Sequence, residues 1–297
     1  MAAINEISIR TAVAAVNKDS HLRIYETAVD GAIREVQYDG SWTGGTSRNT
    51  IATGKIGTPV AATSLGLDHI RVYYVGTDNK LGEAAYDTGK GWYKGDLSSR
   101  FAVAPYSSVS AVFLRGQIIV RVYGQLLDNT IQEWCWNNDG KGWVVGSNLG
   151  PALPGTQLAA TAWGTSSVHI RVYAQDSNLK VFEKCWDGEG WHTGGLSFSN
   201  KVTRAALGVT SWSHGDSTHI RVYYSAPDNL IKEKAWDKDW KDGALRQPSI
   251  PASNVAAIPV KDGLRVYIQN GTKVTAVTEF VWDGGHWKPG QPSLPPA

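Results

Sequence analysis

One pentapeptide, recurring at a near-constant interval, constrains this chain more than any other feature. His-Ile-Arg-Val-Tyr occurs at 69–73, 169–173 and 219–223. Close variants are His21-Leu22-Arg23-Ile24-Tyr25, Ile119-Val120-Arg121-Val122-Tyr123 and Gly263-Leu264-Arg265-Val266-Tyr267. The arginines stand at 23, 71, 121, 171, 221 and 265, separated by 48, 50, 50, 50 and 44 residues. A period of roughly 50 residues marks an array in which each unit buries its apolar face on its neighbours.

The rest of the repeat is as regular. Each arginine is followed by a turn signal: Asp30-Gly31, Asp78-Asn79, Asp128-Asn129, Ser177-Asn178, Asp228-Asn229 or Asn270-Gly271. Asn, Asp and Gly tolerate the backbone of tight hairpin turns. A glutamate comes next, at 35, 83, 133, 183, 233 and 279, twelve residues after the arginine in five repeats and fourteen in the last. Three residues further on is a large aromatic: Tyr38, Tyr86, Trp136, Trp186, Trp236 or Trp282. A second tryptophan trails at a looser offset, at 42, 92, 143, 191, 240 and 287. Asp-Gly and Asn-Gly turns separate the two aromatics, as at Asp39-Gly40, Asp187-Gly188 and Asp283-Gly284.

Between the turns lie short alternating segments rich in Val, Ile, Tyr and Thr, which read as strands. Each repeat opens on a small-residue strand, such as Pro59-Val60-Ala61-Ala62-Thr63, suited to crowding near an axis. No long segment has helical periodicity. Six units of about four short antiparallel strands predict an all-β fold, a six-bladed β-propeller occupying 1–297 as a single domain. Radial closure removes exposed sheet edges. The expected latch is a strand near Ile7-Ser8-Ile9 pairing into the blade formed by the C-terminal segment.

Lys and Arg number 29 against 27 Asp and Glu, a net charge of +2, with no basic run to follow a phosphate backbone. Nucleic acid is therefore not an expected partner. The first residues, Met1-Ala2-Ala3-Ile4-Asn5-Glu6, lack the basic flank and apolar run of a signal peptide. No stretch approaches 18 apolar residues, so membrane insertion is not expected either. The expectation is a cytoplasmic chain, or one that leaves by an unconventional route to a cell or spore surface. Cys135 and Cys185 fall in the same slot of neighbouring repeats, too far apart to bridge, and are expected to be free buried thiols.

Chemistry enters through the repeated side chains. The chain carries 13 Trp and 12 Tyr but only 5 Phe and 1 Met. A core built for stability alone favours Leu, Ile, Val and Phe; Trp and Tyr suit a surface that grips something half-polar. On a regular strand Glu and the aromatic three positions later point to opposite faces. Neighbouring blades therefore bring Glu of one toward the aromatic of the next. Whether Arg shares the Glu face depends on the turn between them. A pocket of Arg, Glu and indoles offers a carboxylate that accepts hydroxyls, a guanidinium that donates, and a flat face for C–H groups. Those are the requirements of a neutral monosaccharide with one apolar face. One Arg–Glu pair by itself is ordinarily a structural salt bridge; six copies of the whole set favour binding.

Carried by Ile-Arg-Val-Tyr, the Asp-Asn turn, Glu-x-x-Trp-Asp-Gly and the trailing Trp, the chain resembles the fungal, Aleuria-type fucose-specific lectin family. The likeness runs from about Ile9 to the C-terminal Pro-Pro-Ala. The resemblance implies a six-bladed lectin, with no cofactor, binding L-fucose and fucosylated oligosaccharides or glycoproteins between adjacent blades. It implies six sites: Arg23 and Glu35 with Tyr86 and Trp92; Arg71 and Glu83 with Trp136 and Trp143; Arg121 and Glu133 with Trp186 and Trp191. The others are Arg171 and Glu183 with Trp236 and Trp240; Arg221 and Glu233 with Trp282 and Trp287; Arg265 and Glu279 with Tyr38 and Trp42. Two departures stand out: the fourteen-residue spacing at the sixth site, and Tyr in place of Trp at 38 and 86. A homodimer is also implied by the resemblance alone.

Two other classes compete. A propeller glycosidase or sialidase needs one unique carboxylate pair or nucleophile, and every prominent carboxylate here is repeated. A WD-type interaction propeller would carry Gly-His and Trp-Asp at a different phase. The histidines (His21, His69, His169, His192, His214, His219, His286) form no ligand cluster in sequence, so no metal site is expected. Asn270-Gly271-Thr272 has the form of a glycosylation sequon.

Overall fold

The computed structural model describes residues 3–214, 217–261, 263–273 and 275–296. Met1 and Ala2, on which part of the signal-peptide reading falls, lie outside the described residues, as does the side chain of His214. Among the described residues the strands form six antiparallel sheets, each assembled from consecutive strands of the chain. Blades 1 to 6 occupy 13–53, 60–94, 109–151, 159–199, 207–248 and 255–289. Blades 2 to 6 have four strands in sequence order. In blade 1 the outer strand is split into Trp42–Gly44 and Thr50–Thr53 around a 3-10 turn at Ser47–Asn49.

Burial is organised as wedges between blades, which follows from strands that are apolar on both faces. Tyr25 and Ile33 of blade 1 meet Val60, Ile70, Val72 and Ala84 of blade 2. Tyr73 and Val75 of blade 2 meet Val109, Val120, Val122 and Trp134 of blade 3. The small-residue opening strands line an axial cavity of about 270 Å³, walled by residues such as Ala14, Ala15, Ala61, Ala111, Ala160 and Ala257.

Ring closure differs from expectation. Ile7 bridges Ala28, inside blade 1, and the Ser8 N–H donates to the Thr27 carbonyl at 3.0 Å. Blade 6 already holds its own fourth strand, Trp287–Pro289, so it has no vacant outer edge for the N-terminal segment to fill. Side chains make the link instead. The Gln269 amide donates to the Ser8 carbonyl (3.0 Å) and accepts from the Thr11 N–H (3.2 Å). The Asn254 amide donates to the carbonyls of Arg10 and Thr11. Val13, Leu22, Ile24 and Val36 of blade 1 then pack on Ala256, Ile258 and Tyr267 of blade 6, together with Leu294.

The turn after each arginine strand needs one left-handed residue. Gly31, Asn79, Asn129, Asn229 and Gly271 supply it, with φ of +86°, +57°, +66°, +56° and +87°. In blade 4 the slot falls one residue after Ser177-Asn178, on Leu179 at φ +61°. The side chain of a branched apolar residue can make no hydrogen bond there to offset the strain.

Candidate functional site

Register settles which face the arginine shares. Tyr73 pairs with Glu83 and Arg71 with Ala85, so Arg, Tyr and Glu lie on one face of the blade. Blade 6 repeats this with Tyr267 opposite Glu279 and Arg265 opposite Val281. Its two extra residues are taken up in the turn, and the face is unchanged. The loose offset of the trailing tryptophan is likewise absorbed by a hairpin. Tyr38 faces Trp42, Tyr86 Trp92, Trp136 Trp143, Trp186 Trp191, Trp236 Trp240 and Trp282 Trp287. All six pairs have ring centroids 5.2–6.1 Å apart at 51–56°.

These aromatics stand on the face opposite Glu and reach the preceding blade. Trp92, Trp143, Trp191, Trp240 and Trp287 meet Tyr25, Tyr73, Tyr123, Tyr173 and Tyr223 edge-on, with centroids 5.9–6.4 Å apart. Cavities open at these junctions. Arg71, Glu83, Trp136 and Trp143 line one of about 200 Å³ between blades 2 and 3. Arg265, Glu279, Tyr38 and Trp42 line one of about 450 Å³ between blades 6 and 1. Arg221, Glu233, Trp282 and Trp287 share one of about 790 Å³ between blades 5 and 6. The other three expected sets have the same register and the same edge-on contact across the junction.

In blades 2, 3, 4 and 6 the carboxylate is held from two sides. Tyr73, Tyr123, Tyr173 and Tyr267 donate their hydroxyls to Glu83, Glu133, Glu183 and Glu279 at 2.8–3.1 Å. The second oxygen accepts a backbone N–H from the outer strand or, in blades 2 and 6, from the loop just after it: Leu97 (2.9 Å), Ser147 (3.2 Å), Leu196 (3.3 Å), Leu245 (2.9 Å) and Gln291 (3.0 Å) for Glu83, Glu133, Glu183, Glu233 and Glu279. Glycine makes room in that segment; a Cβ at Gly95, Gly146, Gly194, Gly243 or Gly290 would overlap the carboxylate. Blade 5 varies the theme: the Tyr223 hydroxyl has no partner, while the Arg221 Nε lies 3.0 Å from Glu233. In blades 2, 3, 4 and 6 the corresponding separation is 3.4–3.9 Å. At the 3.8–3.9 Å of blades 2, 3 and 4 the pair attracts without a direct hydrogen bond, so the arginine Nε–H and carboxylate lone pairs stay open to the cavity. Burial pushes the Glu83 and Glu233 carboxyls up, opposed by the backbone N–H groups and the arginines.

The sequence reading passed over a second set of residues. The aspartate after the first aromatic stands in a turn signal and the histidine before the arginine belongs to no ligand cluster in sequence; together they orient the guanidinium. His21, His69, His169 and His219 place Nδ1 2.5–2.7 Å from Asp39, Asp87, Asp187 and Asp237. A carboxylate only accepts, so the Nδ1–H donates. The same aspartates hold Arg23, Arg71, Arg171 and Arg221 at 2.9–3.0 Å. Partial burial raises the Asp87 and Asp237 carboxyls, but hydrogen bonds from the histidines and the charge of the arginines bring both down to about 2. The usable signal was co-occurrence: His and Asp appear together, 18 residues apart, in four repeats. Blade 3 has Ile119 and Asn137 at these positions, and blade 6 has Gly263 with Asp283.

Blade 1 departs more than blade 6, which carries the unusual spacing. Glu35 accepts from Tyr25 at 3.0 Å, yet among the described residues no backbone N–H reaches its carboxylate and Arg23 forms no ion pair with it. The glycine of the outer strand, Gly45, faces Pro295 in place of the carboxylate. The cysteines are free and buried, and burial with the neighbouring glutamates pushes both thiols up to about 12. They are inert wall residues, in the slot held by Ala85 and Ala235 in blades 2 and 5.

A family model described as fungal fucose-specific lectin matches residues 7–297. A fucose-specific lectin of Aspergillus fumigatus is 43% identical, over 98% of this chain and 98% of that protein. A solved lectin, SapL1, in complex with alpha methyl fucoside, superposes with a TM-score of 0.96 at 57% identity, covering 100% of both chains. The six-bladed propeller of the Aleuria aurantia lectin superposes with a TM-score of 0.84 at 30% identity, covering 97% of each chain.

Proposed function

The chain belongs to the fungal fucose-specific lectin family, and from that premise we propose that its inter-blade pockets are the fucose sites. It is a fucose-binding lectin, a carbohydrate-binding protein with fucosylated glycans as ligands. The observation that carries the site assignment is the clamped carboxylate: Glu83 is fixed by Tyr73 and the Leu97 N–H, faces Arg71, and shares one cavity with Trp136 and Trp143 of the next blade. In this reading Glu83 and its counterparts accept two sugar hydroxyls. The arginine donates to hydroxyl and ring oxygens, and the indoles cover the methyl-bearing C–H face.

No catalysis is proposed. Hydrolysis of a glycoside requires a unique pair of carboxyl groups in two protonation roles. Here each prominent glutamate recurs in all six blades, and in four of them the neighbouring aspartate is engaged with the arginine. Function rests on multiplicity. One monosaccharide offers few contacts and binds modestly. Several sites on one rigid ring, spanning 1–297 as a single unit, can add about 10²–10⁴ in avidity on a surface dense in fucose. Adhesion to fucosylated surfaces follows, and the family resemblance adds a homodimer, which sedimentation of the intact protein tests.

Calorimetric titration with methyl α-L-fucoside, beside methyl α-D-galactoside, tests the assignment. Saturable binding of about five or six fucosides per chain is expected. Heat from neither sugar would overturn it, leaving the repeated side chains a structural role.

A further inference from the structure

Ten of the 13 tryptophans occupy the two repeated positions, and three do not: Trp134, Trp163 and Trp212. Trp134 is core, 2% exposed in the wedge between blades 2 and 3. The other two are half-buried at the end of the opening strands of blades 4 and 5, Ala159–Trp163 and Leu207–His214. Register places each opposite the histidine of its blade. Trp163 stacks on His169 at 5.4 Å and 16°, Trp212 on His219 at 5.2 Å and 15°. Arg171 and Arg221 lie 4.9 Å from the respective ring centroids. At the same register position blades 1, 2 and 6 carry Lys18, Leu65 and Val260, and blade 3 has a bulge.

Trp212 changes the pocket it borders. The cavity between blades 5 and 6 runs without a break from Trp282 and Trp287, past Arg221 and Glu233, to Trp212, with Lys261 and Asp242 on its rim. Its volume is about 790 Å³, against about 200 Å³ between blades 2 and 3. The cavity between blades 6 and 1, at about 450 Å³, lies with it in the roughly 300–1,000 Å³ range of small-ligand pockets, so what sets the blade 5 pocket apart is the added indole on its wall. Half-buried indoles at the end of a sugar pocket provide what a second pyranose needs, an aromatic surface for its C–H face beside polar groups for its hydroxyls.

We propose that Trp163 and Trp212 build a second subsite at the blade 4 and blade 5 pockets, which takes the pyranose to which the terminal fucose is linked. The four remaining pockets lack it. This inference rests on the reading of the inter-blade pockets as fucose sites. It divides the ring into four sites that read fucose alone and two that also read the sugar beneath it.

The test uses the full chain with R23A, R71A, R121A and R265A, which leaves the blade 4 and blade 5 pockets intact. Methyl α-L-fucoside is titrated beside disaccharides of α-L-fucose on N-acetylglucosamine and on galactose. At least one disaccharide should bind about threefold to tenfold tighter than the methyl fucoside, the range of one aromatic stacking contact. Adding W163L and W212L, leucine being the residue of blade 2, should abolish that gain and leave methyl fucoside within about twofold. W163F with W212F should restore part of it. A gain that survives W163L and W212L, or no gain in the parent, overturns the inference. So does a parallel loss for both ligand types, which would make the indoles supports for His169, His219 and the arginines. Loss of methyl fucoside binding in the parent itself strikes the fucose assignment instead.

Discussion

Blades 1 and 2 carry the same repeat, yet they use charge in different places. In blade 2, Glu83 is 4% exposed and clamped from both sides, and Arg71 is aimed by Asp87 and His69. In blade 1, Glu35 is half-buried with one donor, Tyr25. The inverse holds on the other face. Blade 2 pairs Tyr74 with Gly82, where a Cβ would overlap the tyrosine ring. Blade 1 pairs Glu26 with Arg34, both buried, at the seam where the ring closes. Arg34 forms an outward ion pair with Glu6 at 2.6 Å, while the Glu26 oxygens and the Arg34 Nε have no hydrogen-bond partner. A repeat thus fixes where side chains point but not how firmly they are held. That is decided by the path of the chain after the outer strand, which in blade 2 brings the Leu97 N–H onto Glu83 and in blade 1 enters the 3-10 turn at Ser47–Asn49 instead.

The seam gives the largest expected effect. Burial pushes the Glu26 carboxyl up to about 8, with Arg34 opposing, against an unfolded value of 4.5. Because the folded value is the higher one, its contribution to stability is fully present below about 4.5 and is lost as pH rises toward 8. The slope from this group alone is at most about 1.4 kcal/mol per pH unit. Urea unfolding at several pH values between 5 and 8 should show E26Q with a flatter profile than the parent. An equal slope in both proteins breaks the comparison, since the buried acid would then not set the stability of the seam.

Next is the contrast between the two carboxylates. In a chain with R121A, R171A, R221A and R265A, only the blade 1 and blade 2 pockets remain. There E83Q should weaken fucoside binding at its site about 10- to 100-fold, since hydrogen bonds to a charged group carry about 1.5–3 kcal/mol. E35Q should cost less, about threefold to tenfold, because a carboxylate that is not pre-positioned contributes less on binding. Equal losses in titrations of the two variants would show that the clamp is irrelevant to affinity.

Acid should separate the two acidic groups of one pocket. Glu83 is raised above 4.5 by burial, while for Asp87 the upward push of partial burial is overcome by His69, Tyr93 and Arg71, which bring it down to about 2. As pH falls, Glu83 takes up its proton first, which favours the folded chain and removes the acceptor for the sugar. The support from Asp87, present above its unfolded value of 3.8, fails only toward pH 2. Fucoside affinity should therefore decline in mild acid with the circular dichroism spectrum unchanged. Loss of both together would contradict this order.

Much of this was legible in the sequence, because a repeat supplies its own internal comparison. Arg71 and Glu83, Trp136 and Trp143, and their counterparts could be phased from the strings alone, and the junctions bring those sets together. What escaped depends on contacts across strands or between distant ends. Asp87 and His69 meet only through the register of Leu81–Asp87 on His69–Val75. The weakness at Glu35 lies in the path of the chain after Trp42–Gly44, which brings no N–H onto the carboxylate and which no spacing reveals. The fourteen-residue interval of blade 6 looked more serious than it is, because additional turn residues leave cross-strand register unchanged. The latch was misplaced for a related reason: a segment can be tied to blade 6 through Gln269 and Asn254 without joining its ladder.

The turns allow the smallest and cleanest test of the rule that blades share geometry but differ in support. Blades 1 and 2 fill the left-handed position with Gly31 and Asn79, whereas blade 4 has Leu179 at φ +61°. Leucine in that region is strained by its Cβ against the following carbonyl, at about 1–2 kcal/mol. Asparagine tolerates it, as at Asn129 and Asn229. The Leu179 N–H already bonds the Asp176 carbonyl at 3.0 Å, and this bond does not involve the side chain. L179N should therefore raise stability by about 0.5–1 kcal/mol in urea unfolding and leave fucoside affinity untouched. The same change made in reverse, N79L, should lower stability by a similar amount. If L179N destabilises instead, the leucine contributes packing that outweighs its backbone strain. The turns would then have to be counted with Glu26 and Glu35 among the places where the blades are not interchangeable.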